Sequence, residues 1–342
     1  ITDHGNLYGA IEFYAECRKQ GINPVIGYEA YVAPGDRRDK KKHESGDHYY
    51  HLTLLAKNAT GFRNLIKLAS KAFLEGFYYA PRIDLKLLEE YREGLIVLSG
   101  CMAGEMNQYI LKDKPKKAEE LVAWYADVFA DDFYLEIQNN GLGAQDVCTQ
   151  ETVRIADRMG VPMVATADAH YLCAEDAIAH DVLFCINTGR KHNPMSPVYP
   201  QERMKSPYYV RSADDMYRLF PELEDTVARS QEIADKCDVQ LDFKRRHFPI
   251  FTTPKGETAD DYLRELCKKG CLERYGAKPS QAVWDRLDIE LDIIKTMGYA
   301  GYFLIVWDFV RYAREQGIPC TARGSGCGAI VAYALYMLSL IH

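Results

Sequence analysis

Over 342 residues the chain is 47% apolar and 27% charged, a balance that excludes a disordered tail, a collagen-like fibre and a coiled coil. Its length predicts about two domains and lets it bury roughly three quarters of its unfolded surface without staples. The net charge of −7 is uneven, with 28 Lys and Arg against 37 Asp and Glu in residues 1–240 and 14 against 12 in residues 241–342, so the chain is no general nucleic-acid coat.

In chain order, Leu7, Ala10, Ile11, Tyr14 and Cys17 recur at helical spacing. Pro24–Ala30 reads as a buried strand, His51–Ala56 as a second and Gly61–Phe73 as a helix. Leu95–Leu98 reads as a strand, Lys116–Phe129 as a helix, Phe133–Ile137 as a strand, Gln150–Met159 as helix and Pro162–Asp168 as a strand. The charged loop Asp36–Asp47 breaks the pattern. Strands alternating with helices imply βαβ units in a parallel sheet or barrel. From Glu175 onward the pattern is mostly helical, with one or two helices over Ala213–Cys237 and an extended linker over Lys244–Pro254. Helices are expected at Thr258–Tyr275, Gln281–Met297 and Val306–Gln316, a short strand at Gly301–Ile305, and a Gly-rich turn at Arg323–Gly328 before a final helix.

Ten cysteines form no CxxC pair in a chain too large to be a disulfide scaffold, so free thiols in a reducing cytoplasm are expected. The chain opens on Ile1, and its last apolar run, Ala329–Ile341, is shorter than the ~18 residues a bilayer span needs. Both ends read as cuts in a longer protein, with no membrane partner.

The strongest local chemical signal is Asp168-Ala169-His170 closing an apolar strand. Residues i and i+2 of a strand share a face, and carboxylate plus imidazole is a ligand pair for zinc, manganese or iron. A surface turn with a capping Asp is the other reading. Asp3 and His4 follow a truncated strand, Glu29 ends PVIGYE, and Cys101 follows LIVLSG. His51 begins its strand and fits this strand-end pattern less well. In a parallel barrel the carboxyl ends of the strands gather on one face, where sites form. A second signal is Arg323-Gly324-Ser325-Gly326-Cys327-Gly328 before a helix, which suits either phosphate or a tight packed turn. The run Arg37–Lys42 reads as a solvated loop or a polyanion attractor, and Cys267 with Cys271 as a buried helical face or a metal pair.

Five segments resemble successive parts of the PHP (polymerase and histidinol phosphatase) domain: TDHGNLYGAIEFY, PVIGYEAYVAPG, HLTLLAKNATGFRNLIKLAS, LIVLSGCMAGE and ATADAHYL. Their order is similar to the version fused to the alpha subunits of bacterial DNA polymerase III. HFPIFTTPKGETADDYLRELCKKGCLERYG through GYFLIVWDFVRYAREQGIP and ARGSGCGAIVAYAL resemble the start of that family's palm.

The resemblance implies a PHP-type (β/α)7 barrel in residues 1–240 with a helical C-terminal part, then a linker and the truncated start of a palm in residues 241–342. It implies a cluster of up to three divalent metals, zinc or manganese, on His4, Glu29, His51, Cys101, Asp168 and His170. Asp3 is implied to support these ligands from behind, and Asp168 and His170 to serve catalysis. The family's His-x-His motif is expected before Ile1 and the palm's catalytic aspartates beyond His342. Arg323, Gly324 and Ser325 are implied to meet the triphosphate of an incoming nucleotide, although ARGSGCGA departs from the family's usual GRGSAAGS. The implied parent is a DNA-directed DNA polymerase using Mg²⁺, primer–template DNA and deoxynucleoside triphosphates. Its implied partners are a sliding clamp, a clamp loader and a proofreading subunit. Three readings of the barrel stay open: a 3′→5′ proofreading exonuclease, a stand-alone phosphoesterase, and a non-catalytic support.

Overall fold

The computed structural model describes residues 1–41, 46–191, 207–243, 249–320 and 328–338. They divide into two compact units, Ile1–Leu241 and Asp242–His342. In the first unit, seven strands are threaded by helices: β1 (Thr2–His4), α1 (Ala10–Lys19), β2 (Gly27–Val32), β3 (Tyr50–Ala56), α2 (Ala59–Glu75), β4 (Arg82–Ile83) and α3 (Leu85–Glu90). Then come β5 (Leu95–Leu98), α4 (Glu105–Leu111), α5 (Pro115–Phe129), β6 (Phe133–Gln138), α6 (Gly143–Met159), β7 (Met163–Thr166) and α7 (Ala177–Thr188). Two more helices, α8 (Ala213–Leu219) and α9 (Glu224–Lys236), finish the unit.

The strands pair in the order β1-β2-β3-β5-β6-β7, with β4 beside β2. The β1/β2, β2/β4, β5/β6 and β6/β7 pairs are parallel, as expected for βαβ units. β3 runs antiparallel to both β2 and β5, which corrects the expectation of an all-parallel sheet. Its reversal has a local cause. The β2–β3 connection is the charged loop, and it carries no described helix to return the chain to the starting end. Among the described residues no ladder joins β1 to β7, yet the two ends of the path curl together. The His4 ring on β1 and the His170 ring after β7 have centroids 5.7 Å apart.

The core fills both sides of the strands because these read as near-continuous apolar runs. Leu52, Leu54, Leu65, Ile83, Val97 and Phe133 are all at most 2% exposed. Helix starts follow capping chemistry. Asn58 accepts the N–H groups of Thr60 and Gly61 at 2.9 and 3.0 Å to open α2, and Ser212 with Asp215 forms a capping box on α8. One glycine is required by close approach: a Cβ on Gly61 would lie 1.8 Å from the Gly94 carbonyl oxygen.

The charged run after β2 is not uniformly solvated. Arg37 is 4% exposed and pairs with Asp84 and Glu75, while Arg38 stays exposed. Arg82, 1% exposed, makes no ion pair among the described residues and instead donates to the carbonyls of Arg37, Asp39, His48 and Gly76. These bonds hold Arg37, Asp39 and His48 to one buried guanidinium.

The second unit is helical: α10 (Ala259–Tyr275), α11 (Gln281–Met297), α12 (Ala300–Glu315) and α13 (Ile330–Ala334). Cys267 and Cys271 are fully buried in its core with Leu287, Leu291, Leu304 and Val331. The strand expected at Gly301–Ile305 is instead the first turn and a half of α12. Ala300, Phe303, Leu304, Trp307 and Val310 pack on the core at a helical spacing, and that period outweighs the strand-favouring aromatic character of the run. The expected linker overlaps residues 244–248, and the Gly-rich turn overlaps residues 321–327. Both stretches lie outside the described residues. Among those described, no single helix is long and apolar enough to cross a bilayer.

Candidate metal centre

Pairing brings the candidate ligands to one end of the sheet. His4 closes β1 opposite Glu29 of β2, and His51 of β3 lies opposite Tyr31. His51 starts its strand, but the strand is reversed, so its first residues sit where its antiparallel neighbours end. Cys101 lies in the loop after β5, and Asp168 and His170 in the loop after β7. Glu29, His51, Cys101, Asp168, His170 and His4 all line one cavity of about 830 Å³, together with Tyr31, Tyr49 and Tyr208.

Glu29 is the hub of this cluster. Its carboxylate lies 2.6 Å from His51 Nδ1 and 3.3 Å from His4 Nδ1, and it accepts the Cys101 thiol at 3.5 Å. The ligand-competent atoms of His4, Glu29 and His51 lie within 4.8 Å of one another. Cys101 Sγ is also 3.5 Å from His51 Nδ1. Asp168 and His170 pair with each other at 3.7 Å. They do not reach the cavity by strand alternation, because β7 ends at Thr166. Asp168 instead adopts a left-handed backbone at φ 52°, and His170 Nδ1 is 2.7 Å from its carbonyl oxygen. Asp3 turns elsewhere and accepts the Gly9 N–H at 3.0 Å. Arg323, Gly324 and Ser325 lie outside the described residues.

The electrostatics suit a bound cation. Burial alone would raise the Glu29 carboxyl, but the His51 hydrogen bond and the charges of His51 and His4 outweigh it and hold Glu29 below the usual range. Burial lowers the His4 imidazole despite Glu29 beside it. Burial raises the Asp168 carboxyl, with His170 opposing. The Cys101 thiol is pushed well up, first by burial and then by the charges of Glu29 and Asp168. A buried carboxylate, two imidazoles and a thiol form a donor set that a divalent ion matches. A cation would also relieve the crowding of Glu29, Asp168 and Cys101.

Two residues around the cavity were not singled out from the sequence. His180 of α7 lines it, with its ring centroid 5.4 Å from that of His170. Nothing in the sequence marks it apart from other helical histidines. Glu136 of β6 is 5% exposed, and burial pushes its carboxyl up to about 7. Its signal was available, since an acid inside the apolar run FYLEIQ is the same anomaly that marked Glu29.

A strand-end cluster of His, Glu, Cys and Asp on a mixed seven-stranded sheet defines the class, and residues 1–140 match the PHP domain. Residues 261–340 match the bacterial DNA polymerase III alpha NTPase domain. Over nearly its whole length the chain is similar to bacterial DNA polymerase III alpha subunits. It is 43% identical to the DNA polymerase III subunit alpha of Borreliella burgdorferi, over 98% of this chain and 29% of that protein. To the DNA polymerase III subunits alpha of Treponema pallidum and Thermus aquaticus this chain is 41% and 38% identical, over 98% of this chain in each case and 28% and 32% of those proteins. The chain thus spans less than a third of the length of these relatives.

Proposed function

We propose that this chain is part of a cytoplasmic replicative DNA polymerase subunit and that its first unit hydrolyses phosphodiesters at a divalent metal site as a 3′→5′ exonuclease. The observation that carries this reading is the convergence of His4, Glu29, His51, Cys101, Asp168 and His170 on one cavity from five separate segments. His4, Glu29, His51, Cys101, Asp168 and His170 would hold zinc or manganese. When bound, the ion supplies Lewis-acid charge for a phosphoryl oxygen and for the attacking water. Glu29 stays ionised through its His51 hydrogen bond, so the negative charge that holds a cation is present at neutral pH. The Tyr31 phenol is pushed up to about 12, chiefly by burial, and so remains a neutral donor at the cavity wall. The Tyr208 phenol, also raised by burial, is a second such donor.

The second unit, in the same reading, is the start of a palm. Arg323, Gly324 and Ser325 contact the triphosphate of a deoxynucleotide, and Mg²⁺ serves the polymerase site. Primer–template DNA, the sliding clamp, the clamp loader and the proofreading subunit are the partners of the whole subunit. Support comes from the resemblance to relatives named as polymerase alpha subunits.

The exonuclease reading is tested on the full-length subunit with a mismatched 3′ primer end in Mn²⁺ or Zn²⁺. Asp168→Asn weakens a ligand and its charge, so trimming is expected to vanish while polymerisation stays mostly intact. Trimming that survives Asp168→Asn assigns the activity to another site. A wild type that binds metal and trims nothing makes the unit a support only. For the nucleotide loop, one charge-assisted bond is worth roughly 1.5–3 kcal/mol, so Arg323→Ala should reduce nucleotide use by roughly tenfold to a hundredfold. Arg323→Lys keeps the charge without the fork and should rescue only partly. Unchanged turnover and nucleotide KM in Arg323→Ala would remove the residue from the triphosphate site.

A further inference from the structure

Behind the ligand cluster one carboxylate collects four donors. Glu136 Oε2 accepts the Thr53 hydroxyl at 3.1 Å and the Gly100 N–H at 3.2 Å. Its Oε1 accepts the Thr166 hydroxyl at 2.6 Å and the Gln138 amide at 3.1 Å. Three of these donors come from other segments, and each lies one or two residues from a proposed ligand. Thr53 follows His51 by two on β3, Gly100 directly precedes Cys101, and Thr166 precedes Asp168 by two. Residues two apart on a strand share a face, so Thr53 and His51 project together into the interior of the curled sheet. The segment carrying Cys101 is tied to the same point through the Gly100 N–H, which can only donate.

We infer that Glu136 is a positioning residue that sets the spacing of His51, Cys101 and Asp168 by fastening β3, the β5 loop and β7 to one buried point on β6. The inference rests on the reading of those three as metal ligands. A carboxylate suits the place because it offers acceptors in all four directions and no donor. The wall beside it also contains a spare acceptor, since Gln138 Oε1 is buried without a hydrogen-bond partner. If Gln replaced Glu136, its amide oxygen could face the Gly100 N–H. Its NH₂ would then face Thr166, whose hydroxyl can turn to accept, and a flipped Gln138 side chain. Glutamine therefore preserves the tie, whereas leucine leaves the Gly100 N–H buried and unpaired.

The test uses Zn²⁺ and Co²⁺ on the full-length subunit. Zn²⁺ affinity is measured by competition with a chromophoric chelator. The Co²⁺ absorption spectrum reports ligand geometry and the Cys101 thiolate charge-transfer band. Metal-free thermal unfolding is recorded alongside. Glu136→Leu is expected to weaken Zn²⁺ binding by roughly tenfold to a hundredfold, the range seen when groups that orient metal ligands are lost. Its Co²⁺ spectrum should change, while Glu136→Gln binds nearly as the wild type with the wild-type spectrum. If Glu136→Leu does not fold, Thr53→Val and Thr166→Val each remove one donor. Each should weaken Zn²⁺ binding severalfold and alter the Co²⁺ band. Wild-type affinity and spectrum in Glu136→Leu, or in both threonine variants, overturn the inference while leaving the metal centre standing. A wild-type chain that binds neither ion overturns both.

Discussion

Asp84→Ala should damage the first unit more than any single surface charge change, because Asp84 serves three groups at once. Its carboxylate takes Arg37 Nη1 at 3.0 and 3.2 Å, the Arg37 backbone N–H at 3.0 Å and the Leu87 N–H at 2.8 Å as the N-cap of α3. Arg37 and Asp84 are each 4% exposed. Removing one partner of a buried pair costs roughly 3–5 kcal/mol. Glu75 still holds the Arg37 Nε at 3.0 Å, which places the loss near about 3 kcal/mol. The lost cap adds about 1 kcal/mol, for a total of about 4 kcal/mol out of a typical 5–15. Replacing both partners, as Arg37→Met with Asp84→Leu, removes the buried charge along with its counter-ion. The double variant should therefore be less destabilised than Asp84→Ala, with a coupling of at least about 2 kcal/mol. Urea unfolding followed through Trp124, in a Trp284→Phe/Trp307→Phe background, reads the first unit alone. A loss below 1 kcal/mol for Asp84→Ala, or a double variant that simply sums its singles, would refute the reasoning.

Gly61→Ala drives a methyl into the Gly94 carbonyl and should cost about 3 kcal/mol by the same urea assay, with an unaltered midpoint as the failing result. The Glu105 carboxyl is pushed from an ordinary 4.5 to about 7 by burial and the nearby Asp47 charge, against the Tyr109 hydrogen bond. The folded state therefore holds a proton that the unfolded state releases between pH 4.5 and 7, so stability falls as pH rises through that window. The loss reaches at most about 3 kcal/mol. Glu105→Gln should gain on the wild type by that amount between pH 4.5 and 8, and parallel pH profiles for the two proteins would contradict the assignment.

Much of the first unit was readable because its strands are unbroken apolar runs between amphipathic helices, a pattern that local chemistry controls. The direction of β3 was not, since HLTLLA looks the same read either way along a sheet. Only the charged loop before it, which breaks the alternation of strand and helix patterns, carried that information. The same reversal explains why His51 looked misplaced among strand-end residues. Arg37 hid for another reason. Its burial is decided by Asp84, far along the chain, and a run of like charges carries no trace of that partner. Asp168 and His170 were expected to share one face of a strand, but β7 ends at Thr166 and their geometry comes from a turn at Asp168 that alternation cannot foresee. At Gly301–Ile305 the run was too short for a strand to be told from a helix without the flanking Ala300, Trp307 and Val310.

The two free ends of the strand path have a thermodynamic consequence. β1 and β7 share no backbone ladder among the described residues, yet His4 and His170 bring them within one ring contact. An ion shared across that gap would act on this sheet as a cross-link acts on an open chain. It would tie residues near position 4 to residues near position 170 and remove much of the freedom of the long loop between them. Loading would raise the unfolding temperature through mass action, by an amount that tracks free ion concentration. Chelation would release the two outermost strands first, and their amide hydrogens would exchange while those of β3 and β5 stayed protected.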